Sequence, residues 1–192
     1  LLQSWRLPAP DAAWATAHPP LFYYLSAAVT RISLLFESPL LTQAAIPLLG
    51  SAAGLVPAGL SYTLVRRIAP EDPRRAVLAA GLLCFLPVHI YMSAMLNEEM
   101  LASMWVSLAL FALLRAHGRS DLASAALVGG LGGLALLTKL SGSLVLLASA
   151  AVLAIDGLRR REIGPALGRV AVLLTVAGIV GGFVGDDRKR AF

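Results

Sequence analysis

An all-α, polytopic bundle of about six transmembrane spans plus one interfacial helix is the fold class that this sequence predicts. Three observations carry it. The chain is 58% apolar and only 14% charged, with a mean hydropathy of +0.77, whereas soluble domains carry roughly 25% charge. Apolar runs of spanning length, about 20 residues each, recur along the chain, which makes the excess of apolar side chains lipid-facing surface rather than one large core. Basic residues gather at the ends of those runs, as membrane topology requires.

The elements follow in order. Residues 1–20 carry Pro8, Pro10, Pro19 and Pro20 and read as an external loop ending in His18-Pro19-Pro20. Residues 21–36 are short for a span, carry Arg31 and cluster aromatics at their start, which predicts a helix lying in the membrane interface. Ser38-Pro39 opens a new element. Six spans are then expected, over 40–65, 75–95, 98–115, 121–138, 142–157 and 166–184, with Pro47 and Pro57 inside the first and Pro87 inside the second. Membrane helices tolerate such prolines because neighbours satisfy the freed carbonyls. The stretch 121–157 exceeds one span and divides at Thr138-Lys139-Leu140-Ser141-Gly142. Gly129, Gly130, Gly132 and Gly133 fit close helix packing before that turn. The domain reading is therefore residues 1–37 as external loop and interfacial helix, 38–185 as the transmembrane helical domain and 186–192 as a polar tail. The chain starts at Leu1 without an initiating Met and is read as a piece of a longer protein.

Charge sets the expected orientation. Fourteen of the 16 basic residues are Arg. Arg66, Arg67, Arg74 and Arg75, then Arg115 and Arg119, then Arg159, Arg160 and Arg161 all fall on one side when the spans alternate, and the positive-inside rule makes that side cytoplasmic. Arg188-Lys189-Arg190 falls on the other side, where a longer external domain would accommodate it. The net charge of +5 is thus a topology signal and does not point to nucleic acid. The single Cys84 lies in an apolar run and reads as a small buried hydrophobe, so neither a disulfide within the chain nor a Cys-based metal site is available. The Ala-, Leu- and Arg-rich composition fits a bacterial plasma membrane.

With the Arg clusters assigned to topology, the external face keeps three sparse polar features. Asn97-Glu98-Glu99 opens a helix and admits two readings. Asn97 is an N-cap and carboxylates suit the positive helix end; alternatively a carboxylate at the membrane boundary binds a metal or acts as a base, since ionisable groups at membrane depth are costly. Lys139, one of two lysines, is either a snorkelling anchor or a compact cation for a phosphate at headgroup level. His18 is held extended by the prolines after it, and His89 either faces the same site or packs where it stands. His117 falls on the cytoplasmic side.

Three phrases give these residues a context: His18-Pro19-Pro20-Leu21-Phe22-Tyr23-Tyr24-Leu25, Asn97-Glu98-Glu99-Met100-Leu101 and Gly132-Gly133-Leu134-Ala135-Leu136-Leu137-Thr138-Lys139. In order and spacing they resemble the polytopic GT-C glycosyltransferases, in particular the protein mannosyltransferase and aminoarabinose-transferase-like family, from about His18 to about residue 160. The resemblance implies an all-helical GT-C-like fold with a partly amphipathic helix pair in the first external loop. It implies transfer of a sugar from a polyprenyl-phosphate carrier to an acceptor protein, lipid or glycan on the external face. The position of His18 holds Lys or His near the carrier phosphate in such proteins, the second acidic position falls on Glu98 with Glu99 as its alternative, and Lys139 matches the Lys after the Gly-rich helix. Glu98 and Glu99 are then the candidate catalytic carboxylates, His18 and Lys139 the candidate phosphate ligands, and Glu98 the candidate ligand of a divalent ion, Mg or Mn. One departure matters. The family's first acidic motif belongs upstream of His18, and Asp11, the only acid before Glu37, lies too close to His18 to fill that place. The primary catalytic acid is therefore expected before residue 1, and these residues alone are expected to be inactive. A transporter or lipid flippase, and a non-catalytic membrane subunit, are the competing readings. Paired broken helices in two related halves would mark the former, and no such repeat is visible.

Overall fold

The computed structural model describes residues 19–95, 97–116 and 121–182. Every regular element among them is helical: α1 (Leu21–Leu34), α2 (Pro39–Ile68), α3 (Pro73–Cys84), α4 (Pro87–Ala94), α5 (Glu99–Ala116), α6 (Leu122–Thr138), a 3-10 turn (Leu140–Gly142), α7 (Ser143–Arg160) and α8 (Ile163–Gly182). The predicted all-α bundle is the observed fold class. His18, Asp11, His117, Arg119 and the tail with Arg188-Lys189-Arg190 lie outside the described residues.

The helix starts follow from local chemistry. Proline occupies the first helical position of α2, α3 and α4, where its missing N–H costs nothing and its fixed φ suits the helix. Ser38 Oγ accepts from Leu41 N at 3.4 Å, Asp72 Oδ1 from Arg74 N at 3.1 Å and Asp121 Oδ2 from Ser124 N at 2.9 Å, each satisfying a donor that the helix itself leaves unpaired.

Among the described residues, four stretches are long and apolar enough to cross a bilayer: α2, α5, the 3-10 turn with α7, and α8. The second predicted span differs from expectation. It is a broken pair, α3 and α4, bent by 55°. Pro87 starts α4 rather than sitting inside one continuous helix; the residue before it takes the extended conformation that a following proline favours, Leu86 having φ −63° and ψ 121°. By contrast Pro47 and Pro57 are accommodated inside the 30 residues of α2. With the broken pair read as one span, up to five such crossings are present before α6 is counted. α6, the fourth predicted span, has 17 residues and stands at the short end of the spanning range. Large apolar side chains such as Leu55, Leu82, Leu144, Leu147 and Ile179 are exposed along these helices, as acyl-chain contact requires.

The chain forms two compact units, Leu1–Met104 and Trp105–Phe192. In the first, α2 is the central element, with α1, α3 and α4 all packed against it. In the second, α8 packs on both α6 and α7 around a core of Leu113, Ala125, Val128, Leu146, Leu153, Leu173 and Ala177. The glycines of α6 make this possible. A side chain at Gly129 would strike the Leu173 backbone, one at Gly132 would strike Leu146, and one at Gly133 would lie 2.9 Å from Val180 Cβ. Gly130 has only an ordinary contact with Val176, so the close approach uses three of the four glycines read from the sequence. The α7–α8 hairpin turns at Arg161, which takes a left-handed φ of 59° while Glu162 N bonds back to Gly157 O at 2.9 Å.

Candidate functional site

The acidic phrase stands at the head of α5. Ala102 N donates to Glu98 O at 2.9 Å, so Glu98 is the boundary residue and Glu99 the first residue of the helix. Asn97 Oδ1 accepts from Glu99 N at 3.0 Å. Asn97 thus stands one residue before the helix boundary, and its side-chain oxygen satisfies the first N–H of α5. Each glutamate is half-buried, within the first turn, where the exposed N–H groups of the helix favour negative charge. The other arm of the Asn97 amide, Nδ2, donates to Met92 Sδ of α4 at 3.5 Å. One side chain thus ties the phrase to the helices on both sides of it.

α4 is itself held by α2. Gly50 faces the Ser93 carbonyl, and Gly54 faces Ser93 Oγ, His89 Nε2 and Met100 Sδ together. His89 accordingly packs over Gly54, in the same unit as the acidic phrase, with Met100 of the first turn of α5 beside it.

Lys139 lies in the second unit, at the C-terminal end of α6. Its backbone is extended, at φ −154° and ψ 139°, with its N–H bonded to Ala135 O at 2.9 Å and its carbonyl accepting from Gly142 N at 2.8 Å. The turn is tight because Gly142 abuts the backbone of Ala135, leaving no room for a side chain. Thr138, fully buried beside Lys139, bonds Leu134 O at 2.8 Å through Oγ1. The predicted split of 121–157 falls at this turn. Lys139 is half-buried, and its place at a helix C-terminus suits a cation.

A family model described as dolichyl-phosphate-mannose-protein mannosyltransferase matches residues 17–181. The chain belongs to this family. The match runs through all three phrases, from His18 to Lys139 and on into α8. This family member is therefore a membrane glycosyltransferase of the mannosyltransferase type, built from apolar helices. No curated protein and no solved structure matches the chain.

Two features of this mannosyltransferase-family chain escaped the sequence reading. Arg169, inside the apolar run of α8, is 2% exposed, and its Nη1 lies 3.9 Å from Asp156 Oδ2 of α7. Asp156 also accepts from Arg160 Nε at 3.0 Å. A charge inside a predicted span was the available signal, with an opposite charge close enough in sequence to meet it across a hairpin. The second feature is the pairing of Gly50 and Gly54, four residues apart and so on one helix face, which needed the position of α4 to acquire meaning. Among the described residues, no group of three or more His, Cys, Asp or Glu side chains could hold a metal ion.

Proposed function

We propose that the protein transfers a sugar from a polyprenyl-phosphate donor to an acceptor on the external face of the membrane. The observation that carries this reading is the family match across residues 17–181. The position of Glu98 and Glu99 at a capped helix start is compatible with it. An acceptor hydroxyl or amine attacks the anomeric carbon, the bond from that carbon to the phosphate oxygen breaks, and the polyprenyl phosphate leaves with the electron pair. The acceptor proton passes to a carboxylate acting as general base, for which Glu98 and Glu99 are the candidates in this chain. Charge grows on the leaving phosphate, so fixed cations accelerate the step. Lys139 and, when protonated, His18 are assigned that role.

A divalent ion of the Mg or Mn kind, which is commonly bound by one or two carboxylates together with substrate phosphate, is the cofactor this reading would call for. Glu98 would hold it, and its chemistry would be charge neutralisation on the donor phosphate.

The test is transfer of a labelled polyprenyl-phosphate sugar by the full-length protein in membranes. Glu98→Gln and His18→Ala are each expected to lower the rate roughly hundred-fold, the scale of losing a general-base group or a charge-stabilising donor. Transfer by both variants at the wild-type rate would remove these residues from the site.

A further inference from the structure

We infer that Gly50 and Gly54 are positioning residues for the acidic phrase: the space left by their missing side chains is the seat on which α4 docks, and α4 in turn holds Asn97, Glu98 and Glu99 at the head of α5. The role in transfer rests on the reading under Proposed function; the seat itself rests on contacts alone.

α4 has eight residues and none of them is fully buried, so its close approach to α2 weighs heavily in where it lies. At Gly50 that proximity is extreme. A Cβ there would stand 2.6 Å from the Ser93 carbonyl oxygen, a backbone atom that can move only if the helix moves. At Gly54 a Cβ would meet Ser93 Oγ at 2.8 Å, His89 Nε2 at 3.1 Å and Met100 Sδ at 3.3 Å. Those three atoms come from α4 and from the first turn of α5, so Gly54 is where α2, α4 and the head of α5 converge. Ser93 Oγ is fixed by its own bond to His89 O at 2.7 Å. From α4 the contact passes on through Met92 Sδ to Asn97 Nδ2, and through Asn97 Oδ1 to Glu99 N. Small residues at this spacing let membrane helices approach closely. Here the approach has a specific consequence, because the carboxylates stand at the head of α5, the next helix after the one that docks, and Asn97 ties the two. Gly59, on the same helix, has nothing within 4 Å of a Cβ position and supplies the control.

The experiment uses the full-length protein in native membranes, with two readouts. One is transfer of labelled polyprenyl-phosphate sugar, separated into kcat and donor KM. The other is the maleimide-labelling rate of a cysteine placed by Glu98→Cys in a background otherwise free of cysteine. Gly50→Ala is expected to lower kcat roughly ten- to hundred-fold with donor KM within about two-fold, the range that an ångström-scale misplacement produces, and to change the labelling rate several-fold. Gly59→Ala should alter neither. Gly54→Ala should lower kcat less, and adding Ser93→Ala should restore much of it, since Ser93 Oγ is the nearest obstruction. That rescue decides the matter even if Gly50→Ala does not accumulate. If Gly50→Ala and Gly54→Ala match Gly59→Ala in both readouts, or if Ser93→Ala rescues nothing, the seat is overturned. A labelling shift in a protein whose wild type transfers no sugar keeps the seat and sinks the proposed function. Glu98-dependent transfer indifferent to both glycines does the reverse.

Discussion

Arg169 and Asp156 place a charge pair between α7 and α8, 3.9 Å apart. Arg169 is 2% exposed within an apolar helix, where an unpaired charge would cost several kcal/mol. Its partner is shared with Arg160, so Asp156 ties two turns of the α7–α8 hairpin at once. Asp156→Ala is expected to destabilise the protein by about 3 kcal/mol, in the range for breaking a buried pair, measured as the midpoint of unfolding in a denaturing-detergent titration. Replacing both residues with apolar ones of similar size should recover much of that loss, because neither charge is then stranded. Asn97 is the second instructive residue. Asn97→Ala removes the cap on Glu99 and the tie to Met92, and should cost about 1 kcal/mol in the same titration. At this scale Asn97 was legible in the sequence, since capping is a local matter. Arg169 was not, because its partner comes from another helix.

Helix packing turns on which glycines face a neighbour. Gly129 of α6 meets the Leu173 backbone, whereas Gly178 of α8 has open space around it. Gly129→Ala should therefore separate α6 from α8 and destabilise by about 1–3 kcal/mol, the usual penalty for overpacking. Gly178→Ala should stabilise by up to about 1 kcal/mol, through helix propensity alone. A comparison of the two unfolding midpoints checks the pair, and equal shifts would contradict the packing. The sequence marked the glycine-rich run of α6 as an interface because its spacing is dense. It did not distinguish Gly130 from its neighbours, since rotation about the helix axis is set by α7 and α8. Similarly, Pro87 could be seen but not weighed. Proline chemistry alone does not say that Pro47 and Pro57 stay within a helix while Leu86 leaves it.

For the whole molecule, orientation is the outstanding prediction. Single cysteines introduced at Glu71 and Glu162, beside the Arg-rich turns, are expected to resist an impermeant maleimide applied from outside intact cells. Cysteines introduced at Glu98 and Lys139 are expected to react. Reaction at Glu71 or Glu162 would invert the assignment. The amino-acid sequence by itself determined the class of the fold, the helical segments, the turn at Lys139 and the membership that residues 17–181 later established. All of these rest on composition, local backbone preference and short phrases, which need no knowledge of a neighbour. The break between α3 and α4, the Asp156–Arg169 pair and the glycine seat under α4 were decided only by the tertiary structure. Each is a contact or a bend whose energy depends on atoms distant in sequence, and sequence periodicity carries no record of which helix will stand opposite.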